Sequence, residues 1–208
     1  GSTVEISGEH RLLTSAGFVP GSSYTLGTRL AAVRRGGVFG AYSNIPRAIG
    51  TAYLIADGAM TGRTCQFTDG CQATRAELCE IFGLVSAQCD EERVNVPRGH
   101  ALYHWLDTDG LIGTGSHQRF VPDWVFQSDF DTTVAFVSRL FACDATINTT
   151  ITGFPTVQYI STSRRLAEGV QGLLCKLGVM SSFGQEEAWC NGKRCKDAYV
   201  VRVEGRQA

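Results

Sequence analysis

The sequence predicts an α+β fold: a duplicated αββαββα unit with a pseudo-two-fold axis and antiparallel sheets. Two observations predict it. The stretches Arg47–Gly58 (RAIGTAYLIADG) and Ala135–Ala145 (AFVSRLFACDA) each read as a helix that delivers a carboxylate at its C-terminal end. Aligned on Asp57 and Asp144, their upstream residues match in character: Leu54 with Phe141, Tyr53 with Leu140, Thr51 with Ser138, Ile49 with Phe136 and Ala48 with Ala135. Each stretch is then followed by β-type runs, a helical pattern and more β-type runs.

Taken in order, residues 3–36 carry short β-type runs broken by Gly, Pro and Ser. Gly36, Gly37 and Gly40 make a linker. Ser43-Asn44-Ile45-Pro46 opens the first helix, over 45–57, with an N-cap candidate and a proline in the first turn. A hairpin across 59–69, a helix over 71–83 capped by Thr68 or Asp69, a hairpin across 84–97 and a helix over 99–107 complete the first copy. The chain crosses over 108–128. The second copy has a helix over 129–143, a hairpin at 145–161, a helix over 163–177 and a last hairpin across 178–204 turning near Asn191-Gly192; its final helix is missing. The domains read as 3–36, 42–111, a linker 112–128, and 129–206.

Small residues recur three and four apart in both acid-bearing helices (Ala48, Thr51, Ala52; Ala135, Ser138, Ala142), which lets two backbones approach closely. Ala48, Thr51, Ala135 and Ser138 are therefore expected to face one another, bringing Asp57 and Asp144 side by side. Adjacent carboxylates in an apolar seam repel unless a cation sits between them. A carboxylate at a helix C-terminus also meets the negative end of the macrodipole. The pattern suggests a divalent-metal centre; a plain pair of helix-end acids is the alternative.

The duplicated motif resembles the LAGLIDADG homing endonucleases. The resemblance covers about residues 42–205 and includes AMTGRTCQFTDGCQATRAELCEIFGL, its counterpart from Ala145 to Val179, and VPDWVF ahead of the second motif. The serine- and arginine-rich run 161–166 is similar to that of intein-embedded members. Ser7-Gly8-Glu9-His10 resembles an intein histidine block with Ser in place of Thr, so His10 and residues 3–36 read as a splicing-domain fragment; a solvent-facing histidine in a hairpin is the alternative. The N-terminal nucleophile and C-terminal His-Asn of splicing are lacking, so the expectation is an excised or truncated nuclease.

The resemblance implies a monomeric, intracellular (cytoplasmic) endonuclease that cuts double-stranded DNA with Mg2+, for which Mn2+ substitutes. Asp57 and Asp144 would hold the metal, with the backbone carbonyls of Ala56 and Cys143 facing it. It also implies a basic or amide side chain beside each acid, for which Gln66 and Lys193 are the candidates. The polar strand faces supply candidate DNA contacts: Arg63, Thr64, Gln66, Thr68, Arg93, Asn95, Asn148, Thr150, Gln158, Lys193, Arg194, Lys196 and Arg202, with Arg164 at a helix start. Arg suits guanine, Asn or Gln adenine, and Thr the thymine methyl. A half-buried sheet with a solvated face gives the same alternation.

Composition bounds these readings. The 208 residues are 43% hydrophobic, enough for a sizeable core, with no apolar run near the roughly 20 residues that span a bilayer. No signal peptide opens the chain, and Gly1-Ser2 reads as an expression scar. A net charge of −1 argues against a nucleic-acid binder, although residues 164–206 carry eight basic and five acidic side chains. The eight cysteines show no Cys-x-x-Cys spacing and are expected to be reduced and structural; Cys190 and Cys195 leave open a disulfide or half a metal site. Ala145 replaces the motif glycine; because Gly reaches positive φ without strain, Ala there is expected to cost about 1 kcal/mol or more. Arg139 stands where a small residue is common. Both features, with only three lysines, also fit a catalytically decayed DNA-binding module or a structural intein remnant.

Overall fold

The structure, a computed structural model, describes residues 4–33, 36–61, 65–85, 89, 92–149, 153–187, 189–190, 193–194 and 196–204. It is α+β with antiparallel sheets. A hairpin of β1 (Arg11–Thr14) and β2 (Gly17–Pro20) comes first, and no residue from 4 to 33 is buried. His10 lies exposed ahead of β1, its carbonyl accepting from Gly21 N–H at 2.9 Å.

The first copy is α1 (Ile45–Asp57), β3 (Gly58–Ala59), β4 (Cys65–Thr68), α2 (Gln72–Phe82), β5 (Arg93–Val96) and α3 (Ala101–Thr108). Asn44 caps α1 by accepting from Arg47 N–H at 3.0 Å. Every residue from Ala48 to Ile55 is buried, so α1 is the central helix. The cap of α2 is Cys71 rather than Thr68 or Asp69, but Asp69 still closes this turn: its carboxylate accepts Cys71 N–H at 2.9 Å and the Thr74 hydroxyl. The expected hairpin across 84–97 is realised as β5, paired with β4, plus a single bridge from Cys89 to Val94. That bridge brings Cys89 to α2, where it is joined to Cys79 in a disulfide. This corrects the expectation of reduced thiols; Cys65, Cys71, Cys143 and Cys175 are free. Cys195 and the Cys190 side chain lie outside the described residues.

The crossover is no loose linker. It carries a short helix, α4 (Asp123–Phe126), and buries Leu111, Arg119, Val121 and Val125. The second copy is α5 (Phe130–Asp144), β6 (Ala145–Thr149), β7 (Pro155–Ser161), α6 (Arg164–Lys176), β8 (Ser182–Glu186), β9 (Trp189–Cys190), β10 (Lys193–Arg194) and β11 (Ala198–Glu204). Asp129 and Ser163 cap α5 and α6. The sheet orders are β3-β4-β5 and β6-β7-β11-β8, so β5 corresponds to β11 and the Cys89 bridge to the pairing of β8 with β11. The small β9–β10 hairpin sits between those two strands in sequence and flanks 191–192, which lie outside the described residues.

The most extensive packing joins α1 to α5. Ala48, Thr51 and Ala52 are fully buried and Ala135 nearly so, whereas Ser138 lines a groove between α5 and α6. The two halves are also tied by a hydrogen-bonded triad. Arg139 of α5 forks onto Glu77 of α2 at 2.5 and 3.1 Å, and Glu77 accepts the hydroxyl of Tyr53 of α1. The large side chain at position 139 is thus accounted for. Gly58 and Ala145 both have extended backbone, with φ of −85° and −96°, so the expected strain at Ala145 is absent. Gly58 is needed for a different reason: a Cβ there would run into the Leu54 carbonyl.

Ala135→Leu should overpack this seam and lower unfolding free energy by about 1–3 kcal/mol, while Ala142→Leu, exposed on the same helix, should stay within about 0.5 kcal/mol. Denaturant unfolding of the two variants checks this; equal effects would mean that position 135 is not a close helix contact.

Candidate metal centre at the paired helix ends

Asp57 ends α1 and Asp144 ends α5. Burial pushes the Asp144 carboxyl up to about 6, helped by the Asp57 charge and opposed by Arg119 and by the Tyr159 hydroxyl, which donates to Asp144 Oδ2 at 3.5 Å. Burial also raises Asp57, with Asp69 as the next cause; a hydrogen bond from the Cys143 thiol and the charge of Arg119 act against it. Cys143 therefore enters through its side chain. Burial and then the charges of Asp57, Asp69 and Asp144 raise its pKa, so the thiol stays protonated.

Arg119 is the site residue that the sequence reading missed. Its guanidinium donates to the carbonyls of Ile55 and Gly58, and to that of Ala56 at 2.7 Å. The Ile55 and Ala56 carbonyls are orphan acceptors at the end of α1, where the helix dipole is negative, and Gly58 is the first residue beyond it. The side chain is held there by the buried crossover, whose Arg119 carbonyl accepts the Ser163 hydroxyl at 2.6 Å. Burial lowers the Arg119 pKa while Asp144, Tyr159 and Asp57 raise it; an arginine so placed remains charged. The Ala56 carbonyl, expected to face a metal, is thus already an acceptor for Arg119. The signal was present as a basic residue directly ahead of Phe120-Val121-Pro122.

The two carboxylates fit a hard divalent cation. Their carboxyls are raised by burial first and by a neighbouring acid second, both of which a bound cation would offset, and Mg2+ keeps several waters while taking one or two carboxylates. Among the described residues no cluster of three or more His, Cys, Asp or Glu side chains could enclose an ion. That excludes a closed protein cage there but not a water-rich site.

The other candidates separate. In the first sheet Gln66, Thr68, Arg93 and Asn95 share the face opposite buried Cys65, Phe67, Val94 and Val96, with Gln66 opposite Asn95 and Thr68 opposite Arg93. Gln66 Nε2 donates to Asn95 Oδ1 at 2.9 Å. In the second sheet Thr146, Gln158, Arg202 and Ser182 lie in one cross-strand row, with Asn148 two residues along. Arg202 is paired with Glu186, and Arg194 with Glu187 and Asp197 at 3.3 and 3.4 Å. Arg164 is on α6, paired with Glu168 at 2.8 Å, and not on a sheet. Lys196 is exposed. Arg63, Thr64, Thr150 and the Lys193 side chain lie outside the described residues.

A carboxyl held above its unfolded value contributes stability that is present below pH about 4 and lost as pH rises through its folded pKa of about 6. Without divalent ions, Asp144→Asn should therefore flatten the decline between pH 4 and 6 and stabilise the protein at pH 7.5 by about 1–2 kcal/mol, after allowance for solvent screening. Thermal melts across that range check the sign; a variant less stable at pH 7.5 would show that the carboxylate is not strained there.

Over 231 aligned positions the chain is 26% identical to the replicative DNA helicase DnaB of Synechocystis sp., covering 99% of this chain and 26% of that protein. It is 25% identical to RecA of Mycobacterium tuberculosis, covering 99% of this chain and 29% of RecA. A shorter match, 36% identical over 106 residues, joins it to the Nostoc sp. DnaB. The chain thus spans about a quarter of the length of the first of these relatives. A solved structure of the I-DmoI variant in complex with its nicked target DNA, in the presence of Mn, has a TM-score of 0.45 and 13% identity over 77% of this chain and 90% of that one. Residues 131–208, from α5 through β11, match the family model of the LAGLIDADG-like domain.

Proposed function

We propose that this chain is a site-specific endonuclease for double-stranded DNA, encoded within an intein and dependent on Mg2+, with Mn2+ as a substitute. In this reading residues 3–36 are a piece of the splicing domain, with His10 its remnant. Residues 42–111 and 129–206 are the two nuclease subdomains of a monomer, and 112–128 connects them. The observation that carries the reading is the pair of carboxylates, Asp57 and Asp144, at matching ends of two packed helices, both raised by burial. The intein context is supported by two differently named proteins, a helicase and RecA, that match the whole chain over about a quarter of their length. A segment shared by proteins of different activity is what an inserted element gives.

Asp57 and Asp144 would hold the cation, which would supply polarisation of the scissile phosphate and acidification of a water. Arg119, fixed on the α1 carbonyls, puts a permanent positive charge beside both acids. The Tyr159 hydroxyl and the Cys143 thiol orient one carboxylate each. Gln66, Thr68, Arg93 and Asn95 on one sheet, and Asn148, Gln158 and Arg202 on the other, supply donors and acceptors for base edges. No helix among the described residues is long and apolar enough to cross a membrane.

A second reading, a structural remnant without a DNA role, is favoured by the pairing of Arg194 and Arg202 with carboxylates. A salt-dependent gel shift separates the two.

Asp57→Asn and Asp144→Asn should each abolish Mg2+-dependent cutting in a selection on randomised duplex DNA. DNA affinity should stay within about tenfold, because phosphate and base contacts carry binding. Wild-type cutting by either variant would remove that acid from the centre.

A further inference from the structure

The two sheets differ at one matched position. With Asp57 set on Asp144, Gly58 corresponds to Ala145, and their strand partners Phe67 and Tyr159 correspond in turn. The second helices of the two copies also end alike, at Gly83 and Gly178, both with positive φ. One residue along each sheet the pairs are Gln66 with Asn95 in the first and Gln158 with Arg202 in the second. The glutamine is thus repeated. The residue beside it is not: a neutral amide stands in one half where the other half has a guanidinium.

Arg202 does not project from its sheet. Its partner on β8 is Ser182, yet its Nη2 donates to the carboxylate of Glu186, at the far end of that strand. Ser182, Gly184 and Glu186 share one face of β8, so the arginine side chain runs along the strand and crosses Gly184. Its Nη1 lies 3.5 Å from where a Cβ at Gly184 would stand; a longer side chain at 184 would lift the guanidinium off the sheet. Val200, opposite Gly184 on this outer face, is fully buried, as expected beneath a side chain lying along the face. Arg194 is held in the same manner, by Glu187 and Asp197.

A free arginine on such a face would take phosphates of any sequence. In its parked position Arg202 already has a carboxylate, and one phosphate oxygen offers a bond of the same kind, so the exchange gains little. A guanine edge is different, because it presents two acceptors in the plane of the guanidinium fork. The pair can open: Arg202 is 27% and Glu186 52% exposed, and ion pairs this accessible contribute little to folding.

Resting on the endonuclease reading above, we propose that Glu186 is a specificity-determining latch. It holds Arg202 flat on the second sheet, withholds it from the phosphates of non-target DNA and yields it to guanine. The equivalent Asn95 carries no charge to withhold and is held by Gln66 alone, at 2.9 Å.

The test is the fluorescence anisotropy of labelled duplexes of mixed random sequence, followed over a series of salt concentrations without divalent ions. Glu186→Gln should bind these duplexes about five- to tenfold more tightly at low salt, and its log–log salt dependence should steepen by about one unit, the signature of one further phosphate contact. Its thermal melt should stay within about 2 °C of wild type. Adding Arg202→Gln to Glu186→Gln should return the slope to the wild-type value. An unchanged slope in Glu186→Gln overturns the latch. So does a gain that persists in the double variant, which assigns it to the removed negative charge and not to a released arginine. If neither wild type nor Glu186→Gln binds duplex DNA in a salt-dependent way, the endonuclease reading itself falls, and the latch with it.

Discussion

The burial of α1 on every side is the constraint from which the rest follows. Eight consecutive residues, Ala48 to Ile55, are out of solvent, which requires a neighbour on each face: α5 across the seam, α2 and α3 on its own side, and β4 beneath. A helix enclosed in this way cannot lead its C-terminus away through water. It has to turn directly into a strand, as Gly58 does, and its last carbonyls have to be satisfied inside the protein. The position of Asp57, the need for Gly58 and the presence of a buried cation at that end are therefore one requirement seen three times.

Arg119 meets that requirement and changes the character of the acid pair. Two half-buried carboxylates beside a negative helix end would be costly. A guanidinium fixed on three carbonyls offsets part of this without neutralising either acid fully, since both stay raised. In the proposed function, the imbalance that remains is what a bound cation would offset. A tighter arrangement, with carboxylates from more elements, would hold an ion as structure. Tyr159 and Cys143 limit the rotation of the acids, each with one donor hydrogen.

The helices were readable because their caps, apolar periodicity and duplicated acid endings are local properties. Asn44, Asp129 and Ser163 cap helices that the sequence pattern places within a residue or two. The sheet faces were readable from alternation in Gln66–Thr68 and Arg93–Val96. Arg119 was not, because its role depends on where a crossover 60 residues downstream comes to lie, and an arginine in a loop looks like any solvated charge. Cys89 escaped for a similar reason: its partner is fixed by a single bridge to Val94. The strain expected at Ala145 failed because a motif glycine was taken to need positive φ, whereas Gly58 is there for clearance. The bond that Arg119 makes to the Ala56 carbonyl was hidden for the same reason as Arg119 itself.

The Glu77–Arg139 clamp has a consequence for how such a molecule can be divided. By the correspondence of the two halves, Arg139 stands opposite Ala52 and Glu77 opposite Gly172, so the clamp exists on one side of the pseudo-dyad alone. If the first half paired with a duplicate of itself, the acid of each α2 would face alanine; a pair of second halves would set a half-buried arginine at the seam with no carboxylate to meet it. Only unlike halves complete the interaction. A pair of identical halves would forgo this clamp, and the asymmetry of the repeat is written in the contact between the halves as much as in the surfaces they turn outward.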